Sequence, residues 1–582
     1  MYQPSHEDEL ERAQKRAELR RLNRLSALKG NLPDRWARQY DDLIEKYGEP
    51  EHPDFLTYTA TDVVVEDSQE LDAGWFSEAE LEEVVELCQR AGDSDDISVS
   101  SVSQHLSAAV AKEPARFADS AGLFIGVPAR PTRGLLRGLR DAASEEMRFD
   151  WEQVIELCRY VVEQDYDYAA HDYDWSEVRR GVADLIATGL EKEASSPSYR
   201  LRDQVWELLE ALVEDDDPPR EGGDSRNMEP ATEALNTTRG RALHAVFRYC
   251  WWVKREIDAD NGDEFSFGET APEAREILEE SVDPEVDRAL AIRAVFGQWY
   301  PSIVGLDRIW AEEHTENIFP QEEELADQWQ AAWRSYLVFW PPDRSIYPLV
   351  REQYSLSLVR LTGDIEQLSG GTPLRDPEVR LGEHLVALQS WGVLEEEGDE
   401  ELLRRFWEDA DLEARMDVIR SVGGNLMNTE EEIDGSVIGR LQSVWDERLE
   451  WAEDDRGSAR DELEAFVSWF SADVFDEDWA TRRLHRTLQL ASRVPDHPMN
   501  AIELLSSYSG VSPELRLECL RLFVSGRFGD SLVRIHMDEV RSILEAALGD
   551  PSAEVRAKGE DLINQLGRKG IREFRELLEG SD

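Results

Sequence analysis

From residue 75 onward the chain keeps returning to one short pattern. A Ser or Asp, often followed by Pro, precedes an acidic residue, a Val or Leu, an Arg and then an apolar stripe at helical spacing. The clearest copy is Asp550-Pro551-Ser552-Ala553-Glu554-Val555-Arg556, with Gly559, Leu562 and Ile563 behind it. Weaker copies start at residues 172, 236, 283, 376 and 512. Ser or Asp supplies an acceptor for the first free N–H groups of a helix, and Pro pre-sets its first turn. The Arg can pair with a carboxylate of a neighbouring copy. The small residue permits close helix packing, and the i, i+3, i+4 stripe needs a partner surface. One such unit cannot bury its own apolar face, so units must stack. Strand-like alternation is nearly absent after residue 75, which excludes an α/β fold.

The unit at 550–567 resembles the second helix of a HEAT-type repeat. That resemblance implies an all-α fold, an extended α-solenoid of degenerate HEAT-like helix pairs. The length agrees: 582 residues exceed what one compact core accommodates, near roughly 250–300 residues. Composition breaks divide the chain into 1–74, charged helices and an irregular segment; 75–215, a first helical block; 216–232, a linker; 233–361, a second block; 362–376, a linker; and 377–582, a third block. Residues 1–47 carry Leu10, Leu19, Leu22, Leu25 and Leu28 at helical spacings, and 61–65 form a short β-like run. Helix starts are expected at the Ser77–Glu80 capping box, at Asp174, at Ser512-Pro513 and at Asp550-Pro551.

Charge sets the environment. The chain holds 125 acidic and 64 basic residues, a net charge of −61, and only eight of the basic residues are Lys. Like charge on that scale opposes compaction in dilute salt. At about 1 M salt the Debye length falls to about 3 Å and the repulsion is largely screened. Acid excess with Lys depletion resembles proteins of halophilic archaea that keep molar salt in the cytoplasm. Cys88, Cys158, Cys250 and Cys519 are widely spaced in apolar helical runs, which fits packed thiols in a reducing cytosol. The charged N-terminus has no apolar signal region, and no run approaches the ~20 apolar residues of a membrane span. The expected location is cytoplasmic, away from membrane.

Few residues suggest chemistry. Asp165, Asp167, His171 and Asp172 are dense in oxygen ligands but lack an EF-hand spacing, and a solvated loop explains them equally. Arg130, Arg133, Arg137 and Arg140 form a locally basic stretch; from Arg133 the spacing places three on one helix face, where an acidic or phosphate-bearing partner could dock. Arg–Glu pairing is the plainer reading. No GxxxxGK[ST], HExxH or GxSxG pattern occurs. Carboxylate pairs in so acidic a chain carry no weight, and no cofactor is implied. The aromatic runs Phe247–Trp252, Trp299-Tyr300 and Trp329–Trp340 read as core, with any exposed members as partner anchors.

Three stretches, 150–161, 235–246 and 550–567, together resemble the C-terminal helical-repeat region of large prokaryotic STAND-type NTPases of anti-phage defence. In that family a nucleotide-binding module and an effector precede a solenoid that recognises a trigger. Neither leading module is visible, as in a split homologue, so the resemblance implies only recognition. The expected function is therefore a non-catalytic scaffold or sensor that binds a protein. An enzyme with an unrecognised site, or nucleic-acid contact through Arg130–Arg140, are the alternatives; phosphate contacts weaken steeply with salt, which disfavours the second. The charge balance predicts that transfer from about 1 M to about 0.1 M KCl lowers the thermal midpoint followed by circular dichroism at 222 nm. A midpoint independent of salt would remove the salt-adapted reading.

Overall fold

The computed structural model describes residues 73–93, 99–164, 173–222, 228–260, 265–361, 376–395, 398–456, 458–495, 498 and 500–579, with positions 36, 38, 40, 43, 44 and 46. The β-like run at 61–65, the acidic stretch 165–172 and most of the 362–376 linker lie outside them. Every regular element among the described residues is a helix. The chain forms two compact units, one ending at Ala142 and one running from Ala143.

In the first unit, α1 (Ala73–Glu78), α2 (Leu81–Asp93), α3 (Val99–Lys112) and α4 (Pro114–Ala118) precede α5 (Ala129–Ser144), whose last two residues belong to the second unit. The capping box expected at Ser77 is displaced. Ser77 lies inside α1, and the next helix starts after Glu80, whose carbonyl accepts from Val84 N at 3.2 Å. Arg116 explains the shift: it donates to Phe76 O at 3.0 Å and Ser77 O at 2.7 Å, closing α1 where a new helix would otherwise begin.

In the second unit the helices alternate between two ranks. One rank is α6 (Glu152–Val162), α8 (Arg202–Val213), α11 (Pro272–Val282), α13 (Arg308–Ile318), α15 (Tyr347–Leu361) and α17 (Glu400–Asp409), each packed on the next. The other is α7 (Tyr173–Glu191), α10 (Thr238–Asp260), α12 (Leu290–Leu306), α14 (Ala326–Phe339), α16 (Pro377–Ser390) and α18 (Leu412–Met427), again each on the next. The short α9 (Pro230–Ala234) packs on α12. The run continues through α19 (Gly435–Glu453), α20 (Ala459–Glu462), α21 (Val467–Ser471), α22 (Glu477–Leu490), α23 (Ala501–Ser507), α24 (Pro513–Ser525), α25 (Gly529–Ile535), α26 (Met537–Leu548), α27 (Ala553–Arg568) and α28 (Glu576–Glu579).

Some of the sequence caps work as read. Asp376 accepts from Glu378 N at 2.9 Å ahead of Pro377, and Ser512 Oγ accepts from Leu515 N at 3.3 Å ahead of Pro513. At 283, however, Asp283 closes only a turn, and α12 starts at Leu290.

The Arg of the repeated pattern does more than pair with a carboxylate. It reaches back to carbonyls at the end of an earlier helix, where partners within that helix run out. Arg179 on α7 donates to Val162 O at 2.6 Å, the end of α6, and to Asp215 at 3.0 Å. Arg239 on α10 donates to Val213 O at 3.0 Å, the end of α8, to Pro218 O at 2.7 Å, and to Asp287. Arg293 on α12 donates to Val282 O at 2.6 Å, the end of α11, and to Asn317 O at 2.9 Å near the end of α13. Arg380 on α16 takes Leu337 O at 3.0 Å and Trp340 O at 2.8 Å behind α14. Arg415 on α18 takes Trp407 O at 3.0 Å and Ala410 O at 3.1 Å behind α17, and pairs with Glu462 at 2.8 Å. Arg556 on α27 takes Asp550 O at 2.7 Å and Pro551 O at 2.8 Å behind α26. A guanidinium suits this task because its five donors serve several carbonyls at once, and its charge favours a helix C-terminus.

Small residues and aromatics fill the layers. A Cβ at Gly297 would lie 1.9 Å from Ala332 O, so α12 and α14 touch backbone to backbone at that point. The aromatic runs are largely core, with Phe247, Tyr249, Trp252, Trp329, Trp333 and Tyr336 all buried; Trp251 and Phe339 are the exposed members. Arg239 and Asp287 are fully buried, so Arg239→Met is expected to cost about 3–5 kcal/mol by stranding a buried charge, whereas Arg275→Met, which removes an exposed i, i+4 pair, is expected to leave the midpoint nearly unchanged. Denaturant midpoints at constant salt measure both.

Candidate functional site

The basic stretch lies on α5. Gly134 and Gly138 face α3, where a Cβ would meet Ser103 O at 2.5 Å and Ser107 O at 2.6 Å, so this side of the helix is closed by backbone contact. Arg130, Arg133 and Arg137 lie on the exposed side, while Arg140 is half-buried and turns to Asp141 at 2.5 Å. Asp141 also draws Arg137, at 3.9 Å. The exposed set is therefore 130, 133 and 137 rather than the 133, 137, 140 face expected from spacing. Leu123 and Ile125, each 44% exposed, precede it in the chain.

The weak metal candidates Asp165, Asp167, His171 and Asp172 lie outside the described residues. Among the described residues, no group of three or more His, Cys, Asp or Glu is disposed to hold a metal ion. The four cysteines are buried and unpaired. Burial pushes the Cys88 and Cys158 thiols up to about 12 and raises those of Cys250 and Cys519 further, away from the thiolate form a nucleophile needs. His384 is fully buried between Tyr354 OH, 2.9 Å from Nδ1, and Trp340 O, 2.9 Å from Nε2. The carbonyl fixes the proton on Nε2, so Nδ1 accepts from Tyr354. Burial, then the Arg380 charge, holds its pKa down to about 3. His244 accepts on Nδ1 from Trp299 Nε1 at 2.7 Å and is held at about 3 by burial and by Arg248 and Arg241.

A more elaborate arrangement sits where the sequence marks a linker. The turn after α8 contains a cis Asp217–Pro218 bond, and Asp217 is fully buried. Its amide donates to Asp215 Oδ1 at 3.0 Å, its carbonyl accepts from Arg239 N at 2.7 Å, and Arg180 lies 3.6 Å from its carboxylate. Arg239 joins this turn to Asp287, and Asp287 accepts from Ala289 N at 3.2 Å, just ahead of α12. Arg288 N donates to Arg220 O at 2.8 Å, which ties 220–222 to 287–289. Gly222 makes that approach possible: its φ is +71°, and a Cβ there would lie 3.0 Å from Arg288 O.

This ion-paired frame holds open a cavity of about 380 Å³. Pro218, Ala289, Leu290 and Ala291 give it a largely apolar floor. Glu221, Glu324 and Asp327 are exposed at its rim with Arg288, whose guanidinium is 2.7 Å from Glu285. Glu233 and Gln328 also line it and are only 5% and 6% exposed. Gln328 Nε2 donates to Pro284 O at 3.2 Å, so the amide is held with its oxygen as the other end, and that buried Oε1 has no hydrogen-bond partner.

No family model, curated protein or solved structure matches this chain. The cavity escaped sequence reasoning because its walls come from three distant segments. The one available signal was the Pro218-Pro219 pair, whose rigidity marks a fixed turn rather than a flexible connector.

The histidines generate a pH prediction. The folded pKa of His384 lies below the ordinary value near 6.5, so the unfolded chain binds the proton first. Its contribution to stability is full above pH ~6.5 and is lost as pH falls toward about 3, at about 1.4 kcal/mol per pH unit. Between pH ~6 and ~5 the unfolding free energy of His384→Gln should fall less steeply by about one proton. Equal slopes in denaturant titrations would contradict the buried neutral assignment.

Proposed function

We propose that this chain is a non-catalytic α-solenoid of degenerate HEAT-like helix pairs that recognises a protein partner in a salt-adapted cytoplasm, as the recognition half of a split prokaryotic defence system. The observation that carries the reading is the pair of helical ranks in the second unit, each helix packed on the next of its rank, with Arg179, Arg239, Arg293, Arg380 and Arg415 of the second rank each reaching the end of an earlier helix. Such stacking gives each unit contacts mainly with its neighbours and leaves long faces for recognition. The defence assignment rests on the sequence resemblance. Arg130, Arg133 and Arg137, exposed on an otherwise strongly acidic protein, form the natural contact face for an acidic partner.

The test is recovery of tagged full-length chain from its native host at the host's own salt, followed by reconstitution of any partner at defined stoichiometry. A stoichiometric complex with a protein carrying an NTPase module is expected, weakened at least about tenfold by the Arg130→Glu/Arg133→Glu/Arg137→Glu triple variant. Recovery of the chain alone would overturn the proposal.

A further inference from the structure

Near the end of the second unit, one short helix keeps part of its apolar surface outside. Gly529, Leu532 and Val533 of α25 are buried, and a Cβ at Gly529 would lie 2.1 Å from Val524 O near the end of α24. That backbone contact fixes the helix in place. Phe528, at its cap, is nonetheless 42% exposed. Ile535, its last residue, is 75% exposed, the highest value for a large apolar side chain among the described residues. The two are seven positions apart, about 20° short of two full turns, so they share one line along the helix about 10.5 Å apart.

An arginine precedes each of them. Arg527 sets its guanidinium 5.1 Å from the centre of the Phe528 ring, and Arg534 adjoins Ile535. Both arginines are exposed, and among the described residues no carboxylate pairs with either. Exposed arginines such as Arg275, Arg308 and Arg482 do have such a partner. Asp530, the acid within α25, is taken by Lys569 Nζ at 2.9 Å. At the far end Glu503 lies 3.8 Å from His536, and Asp538 is exposed; Asp496 lies outside the described residues. The two arginines, rather than a net charge of the region, are therefore the feature to be matched.

Such a face selects its partner. A guanidinium favours a carboxylate, which it binds through two parallel N–H groups. Over the whole chain acid outnumbers base 125 to 64, so an acidic partner is opposed at most other places. In about 1 M salt charges are screened beyond about 3 Å, so recognition has to combine apolar burial with ion pairs in direct contact, and α25 offers the two side by side. A second copy fits poorly, because antiparallel pairing through α25 sets the Arg527 side of one copy against the Arg534 side of the other. A membrane surface fits poorly too, because α25 is seven residues long with two exposed apolar side chains.

We propose that the exposed face of α25 is a docking surface for an amphipathic helix of a partner protein. The partner presents apolar residues seven apart, which cover Phe528 and Ile535, and acidic residues beside them, which pair with Arg527 and Arg534. Helix-against-helix docking follows from the spacing, because a seven-residue interval on one helix is matched by the same interval on another. The inference rests on the protein-binding reading but not on its defence assignment, nor on Arg130, Arg133 and Arg137.

A selection tests it. Random-sequence helical peptides in mRNA display are selected on the immobilised full-length chain at about 1 M KCl, and recovered peptides are measured by fluorescence anisotropy. A class with Leu, Ile or Phe at i and i+7 and Asp or Glu beside each is expected. That class should bind at least about tenfold more weakly to Arg527→Glu/Arg534→Glu and to Ile535→Ser, at an unchanged melting temperature, since all three positions are exposed. Replacing the peptide acids by Arg is expected to restore binding to Arg527→Glu/Arg534→Glu. Recovery of no such class, or its wild-type affinity on both variants, would overturn the proposal. So would binding of phosphatidylglycerol vesicles or a poly-dT strand that the same variants abolish and that exceeds peptide binding, or a dimer of the chain lost on Ile535→Ser in sedimentation. Because the peptides are supplied, failure of recovery from the native host leaves a positive result here standing, and failure here leaves the α5 face standing.

Discussion

A buried or half-buried guanidinium holding the last carbonyls of an earlier helix is the contact on which the second unit depends. A helix ends with carbonyls that lack partners, and burying them unpaired is costly. Where two ranks of helices alternate, many such ends must be enclosed. Arg179, Arg239, Arg293, Arg380 and Arg415 each close one, and each is itself the anchor of the following helix. The same bond therefore satisfies one helix and sets where the next one stands. Where an acid joins in, as with Asp287 or Glu462, the excess charge of the Arg is balanced within the protein.

This contact alters the meaning of the composition. A scarcity of Lys beside 56 Arg suits a salt-loaded cytoplasm, yet part of that preference is demanded by geometry. An ammonium is a compact point charge; it cannot present a planar fork to Val213 O, Pro218 O and Asp287 together, as Arg239 does. The acid excess remains a matter of the surface, whereas a share of the Arg belongs to the interior. The row on α5 is different again, because Arg130, Arg133 and Arg137 are exposed.

Much of the helical character was legible, and the reasons are local. Asp376-Pro377 and Ser512-Pro513 cap helices as their chemistry dictates, because nothing nearby competes. Asp283-Pro284 carries the same signal and yields only a turn, since Asp287 four residues on is drawn into the pair with Arg239 and the helix waits until Leu290. Ser77 fails for a similar reason, with Arg116 closing α1 across it. The segment around Asp217 looked solvated because Asp and Pro usually are. Which few of 125 acidic residues are enclosed depends on Arg residues 14 to 48 positions away, and periodicity does not carry that information. The cavity inherits the same difficulty, being framed by those pairs.

The four enclosed thiols have a practical side. Cys88, Cys158, Cys250 and Cys519 lie in α2, α6, α10 and α24, far apart along the chain, and burial keeps each protonated. An alkylating reagent can meet any of them only after its own helix has opened. The chain thus carries a built-in set of site-resolved clocks, each reporting how often its part of the molecule breathes, without a single engineered label.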